Sequence, residues 1–140
     1  MTTKEYLQQI RKYDKIIKNR IRELDNLRIA VQNISSFQLS KDVVVTSKRK
    51  DKMESLIVRI VDEENYINDF IDRKYSIISK MEKLDIKDYD ILYLRFVDGK
   101  KFEEILDILN DESECSERQM YRRYKKAMKA FEEQFGDNYL

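Results

Sequence analysis

Histidine and proline are absent from the 140 residues, and glycine occurs only at Gly99 and Gly136. Without histidine the chain has no imidazole base, no Ser-His or Cys-His pair and no His-containing zinc site. The two glycines stand alone, so no glycine-rich loop is present to cradle a phosphate. One cysteine, Cys115, excludes an internal disulfide and reads as a packed thiol. No apolar run approaches the 18 or so residues of a membrane helix, and no signal peptide is visible, so a soluble intracellular protein is expected. Asp85, Asp88 and Asp90 are the nearest thing to a metal-ligand cluster. They fall where a helix should begin, and acids favour a helix N-terminus, so neither a metal nor a cofactor nor an enzymatic reaction is expected.

What is present is charge, 39% of the residues, and helical periodicity. The 28 basic and 27 acidic residues nearly cancel, but they are segregated. Residues 1–52 carry 13 basic and 6 acidic side chains, 53–115 carry 9 and 17, and 116–140 carry 6 and 4. Regional charge, rather than the overall balance, therefore points to partners.

Thr2 and Glu5 form a capping box that opens a helix predicted to reach about Ile34. Its positions Thr3, Tyr6, Ile10, Tyr13, Ile17, Arg20, Leu24, Leu27, Val31 and Ile34 alternate by three and four, a heptad seam. Arg20 interrupts it, and Ile21 is expected to take over part of the stripe there. Residues 35–50 read as a loop: Ser35, Ser36 and Ser40 favour turns, and Val43-Val44-Val45 favour extended backbone. Lys48, Arg49 and Lys50 are read first as a solvated loop cluster, with a secondary phosphate contact as the functional alternative.

Asp51 and Glu54 are expected to cap a second long helix through about Leu84, with a broad apolar stripe from Met53 to Leu84 broken by Glu63, Glu64 and Lys74. The simplest arrangement is an antiparallel, coiled-coil-like hairpin over 1–84 that serves oligomerisation. Two helices bury little, so a homo-oligomer is expected, preferably a dimer forming a four-helix bundle. The alternative is that the stripe holds the C-terminal unit.

That unit, 85–140, reads as three helices: one opened by Asp85 and stopped at Asp98-Gly99, a short one over Phe102–Leu109, and one from Ser116 to Phe131. Met120, Tyr124, Met128 and Phe131 should close a core with Leu92, Phe96, Ile105 and Leu109. Asn110 to Cys115 is expected to form a long, protruding acidic turn, and the last five residues, from Gly136, a frayed tail. The final helix opens with a Ser116/Gln119 capping box and carries Arg118, Arg122, Arg123, Lys125, Lys126 and Lys129 against one acid, Glu117. A helix of this kind suits a duplex major groove.

Residues 91–106, ILYLRFVDGKKFEEIL, followed by SERQMYRRYKKAMKAF, resemble region 4 of a bacterial sigma factor. The whole chain resembles small phage and prophage transcriptional regulators of the RinA/ArpU type. The motif departs from the pattern at Leu106, where a small residue is usual, and in the length of the following turn. The resemblance implies an all-α protein with a C-terminal helix-turn-helix that binds double-stranded DNA in the bacterial host cytoplasm. It implies a regulator, preferably an activator of late genes. By position in the motif, base contacts fall to Glu117, Arg118, Tyr121 and Arg122, and phosphate contacts to Ser116, Arg123, Lys125 and Lys126. Two other readings stay open: a DNA-packaging protein like a small terminase subunit, and a module whose acidic 85–114 stretch binds RNA polymerase or a sigma factor.

Overall fold

The computed structural model describes residues 1–41 and 47–140, and the side chains of all of these except 36–41, 47 and 49. Every element is helical: α1 (Thr3–Lys41), α2 (Ser47–Met81), α3 (Ile86–Leu92), α4 (Phe102–Glu112) and α5 (Glu117–Phe135), with a π-turn at Tyr93–Val97 and a 3-10 turn at Gly136–Asn138. No strand and no helix long and apolar enough to cross a membrane occurs among the described residues. The all-helical class and the antiparallel hairpin of α1 and α2 are as predicted from the sequence.

The predicted boundaries of the hairpin are wrong at its tip. The first helix continues past Ile34 to Lys41, and the second starts at Ser47 rather than Asp51. The serines cost a helix only tenths of a kcal/mol each, and no glycine or proline is there to stop it. Lys48, Arg49 and Lys50 are thus the first turn of α2, not a loop. Val43-Val44-Val45 lies outside the described residues.

Two compact units are present, one formed by 1–14 with 73–140 and one by 15–72. In the first, Leu7 and Ile10 from the start of α1 and Ile77, Ile78 and Met81 from the end of α2 join Ile91, Leu92, Phe96, Ile105, Leu109, Met120, Ala127 and Phe131 in one core. Full burial of a side chain this size contributes about 1.5–3 kcal/mol. The alternative use of the apolar stripe, as a support for the C-terminal helices, is therefore realised along this part of the hairpin. The Thr2/Glu5 box forms, with Glu5 N–H donating to Thr2 Oγ1 at 3.1 Å and Thr2 N–H to Glu5 Oε2 at 3.4 Å. Lys74 Nζ, one of the expected stripe breakers, pairs with Asp14 at 2.6 Å.

The tail is not frayed. Tyr139 stacks on Tyr6 with centroids 4.3 Å apart and shares a 2.8 Å hydrogen bond with Thr3 Oγ1, while Phe135 and Gly136 are buried. Thr3 and Tyr6 sit on the predicted seam, so their partner in this unit is the chain's own C-terminus.

In the second unit the seam residues Leu24 and Leu27 of α1 are buried, as are Leu56 and Ile67 of α2. Arg20, the break in the seam, meets Glu63, a break in the facing stripe, at 2.8 Å, and its guanidinium lies 4.7 Å from the Tyr66 ring centroid. Arg28 meets Glu64 at 3.1 Å. Ile21 does not take over the stripe; it is exposed.

Candidate nucleic-acid interface

Helix α5 begins where its capping box places it. Gln119 N–H donates to Ser116 Oγ at 3.2 Å, and Ser116 N–H donates to Gln119 Oε1 at 2.9 Å. Two otherwise orphaned donors of the first turn are satisfied, and the Ser116 hydroxyl proton remains free for an external acceptor. The helix then runs four residues beyond its predicted end because Phe135 continues the buried stripe of Met120, Ala127 and Phe131. With that stripe turned inward, Glu117, Arg118, Tyr121, Arg122, Lys125, Lys126 and Lys129 are exposed. Arg118, Arg122, Lys125 and Lys126 make no ion pair among the described residues. Lys129 reaches Glu133 at 4.0 Å, a loose pair of low energy.

The preceding turn is shorter than predicted. α4 persists through Glu112, and Asn110 Oδ1 accepts from the Cys115 N–H at 2.8 Å, closing a connection of Ser113 to Ser116. Nothing between 110 and 112 breaks a helix, and the asparagine side chain substitutes for a turn bond. Cys115 is buried, as expected of a packed thiol. Asp111, Glu112, Ser113 and Glu114 remain exposed.

The start of α4 is fixed by aromatic packing. Phe102 lies 5.1 Å from both Tyr121 and Tyr124, and the Arg95 guanidinium sits 4.0 Å over the Phe102 ring. Arg95 also donates to the Lys100 carbonyl at 3.0 Å. Burial pushes the Tyr124 phenol above its ordinary value, with the Arg95 charge and hydrogen bond pulling it back. Tyr121 is thus held from one side by Phe102, which limits its rotamers while leaving part of the ring open. The third helix ends through the π-turn: Asp98 N–H reaches the Tyr93 carbonyl at 3.0 Å and Lys100 N–H the Leu94 carbonyl at 2.9 Å. Gly99, at φ +67°, makes the left-handed step.

Two recesses flank α5. One, of about 410 Å³, is lined by Lys87, Arg122, Arg123 and Lys126 together with Asp88 and Glu114. Arg123 is half-buried there, and its Nε is enclosed without an acceptor. The other, of about 640 Å³, contains Phe102, Leu106, Tyr121 and Met120, rimmed by Glu117 and Asp107 among others. The predicted base-contact group is divided between the recesses: Glu117 and Tyr121 line the larger one, with Arg95 and Lys101 beside its acids, whereas Arg122 lies on the basic one with Arg123 and Lys126 of the phosphate-contact group. Leu106, the departure from the motif, forms part of the larger recess. Lys87 was missed from sequence because it precedes the motif and stands among Asp85, Asp88 and Asp90. Only the packing of α3 on α5 reveals it. Asp85 precedes α3 without a side-chain capping bond, and Asp88 is buried.

Lys48 and Lys50 are exposed in the other compact unit, and the Arg49 side chain lies outside the described residues. No family model, no characterised protein and no solved structure matches the chain.

Proposed function

We propose that this protein is a sequence-specific DNA-binding regulator of transcription, of the phage type that its C-terminal motif resembles, with α5 as the helix that enters the major groove. The observation that carries the reading is the row of exposed, unpaired cations on a helix whose opposite face is locked into the core. Arg122 and Arg118 have free guanidinium forks, the geometry that reads guanine O6 and N7. Glu117 accepts from cytosine N4, and Tyr121 packs against a base edge. Ser116, Arg123, Lys125 and Lys126 hold phosphates, joined by Lys87 across the basic recess. An ordinary solvated helix would pair more of this charge internally. The activator assignment and the bacterial cytoplasm as its location follow from the resemblance, and the protein acts as a homo-oligomer, preferably a dimer. The test is fluorescence anisotropy with duplex fragments over a range of salt. Site-selective binding with a steep salt slope is expected; weak binding indifferent to sequence would leave α5 a solvated basic face.

A second reading has its own observation. The larger recess presents Phe102, Leu106 and Tyr121 beside the exposed acids Glu103 and Asp107, which suits docking of an RNA polymerase or sigma-factor segment. An activator can use both sides of α5 at once. Pull-down with polymerase, compared between the parent and Leu106→Glu, separates the two functions, because that substitution leaves the basic row intact.

A further inference from the structure

Among the described residues of the compact unit 15–72, Leu24, Leu27, Leu56 and Ile67 are the buried hydrophobic side chains, a small core for two helices of this length. Six further apolar side chains of the same unit are exposed: Ile21 is 43% exposed, Ile29 53%, Ile57 48%, Val58 59%, Val61 48% and Tyr66 52%. Ile57, Val58 and Val61 lie within about one turn of α2 and form a contiguous exposed apolar patch, and Ile21 and Ile29 are exposed on α1.

Charge identifies what covers them. Residues 15–35 of α1 carry five basic and two acidic side chains, whereas 53–72 of α2 carry one basic and six acidic. A second copy of the same unit complements this pattern. When two hairpins pair about a two-fold axis with α1 of one beside α2 of the other, each basic helix gains a second acidic neighbour. Like-charged helices then fall on the diagonals. The interface is isologous, so both copies use the same residues.

We infer that the 15–72 unit is a self-association module, pairing with the same unit of a second copy in a four-helix bundle whose alternating basic and acidic helices fix the arrangement. This does not rest on DNA binding and is measured without DNA. Sedimentation equilibrium of the full chain at about 100 μM is expected to give twice the chain mass of 17.0 kDa. Ile57→Glu with Val61→Glu places charge at positions already exposed, so the single chain keeps its helices by circular dichroism while the dimer weakens by about tenfold or more. Tyr75→Glu, exposed but in the other unit, should leave self-association unchanged. A parent of single-chain mass, a double variant that dimerises like the parent, or a ring of many subunits would each overturn the proposal.

Discussion

Arg122 and Lys126 lie on the same helix, and in the proposed DNA complex they do different work. Arg122→Ala should cost about 1–3 kcal/mol at the preferred site and relax the preference at one base. Lys126→Ala should weaken every duplex alike and lower the salt slope by about one, and Lys87→Ala should do the same. Competition titrations against single-base variants of the site distinguish these outcomes. Gly99 makes a residue-scale prediction about the fold. Its φ of +67° disfavours any side chain, and an added Cβ would also meet the Arg11 guanidinium. Gly99→Ala should destabilise by about 1–2 kcal/mol, read as a lower urea midpoint with unchanged slope. Ser116→Ala removes the cap of α5 and should cost about 1 kcal/mol. These single residues were legible in the sequence because each rests on a local rule: a cap at fixed spacing, a glycine after a helix, a fork-shaped cation on a polar face. Lys87 was not, because its role depends on where α3 packs.

At the scale of elements, Tyr139 ties the 3-10 turn back to α1 through Tyr6 and Thr3. Burial raises its phenol above the ordinary value, against the Thr3 hydrogen bond, which lowers it. A group whose folded pKa lies above its unfolded value stabilises fully below the unfolded value and loses that contribution as pH rises through the folded one. Stability should therefore decline above about pH 10, and Tyr139→Phe should make that decline shallower while lowering the melting temperature at neutral pH. Thermal melts across pH check both. The seam of α1 shows what sequence can and cannot say about elements. Each of its positions from Thr3 to Ile34 is buried or half-buried, so the period was correct. The partners were not readable: near its start the seam meets the C-terminal tail, whose five residues carry no periodic signal. Arg20, Glu63 and Lys74 looked like flaws in two separate stripes and turn out to be halves of ion pairs, a relation that no single stripe contains. The ends of α1 and α2 were misjudged because serine favours turns locally yet costs little once a long helix is under way.

For the whole molecule, the absence of histidine has a functional consequence. No imidazole titrates near neutrality, so affinity for DNA should be nearly flat between about pH 6 and 8, a range over which histidine-bearing interfaces change charge. The segregated charge that leaves a net of only +1 serves internal pairing in the hairpin and a free cationic row on α5. The most direct test is selection from a random duplex library with the full chain, followed by the same selection with Arg122→Ala. Enrichment of one motif by the parent, with its information lost at a single base pair in the variant, is the predicted result. No enrichment from the parent, or the same motif from both proteins, would contradict base reading by α5.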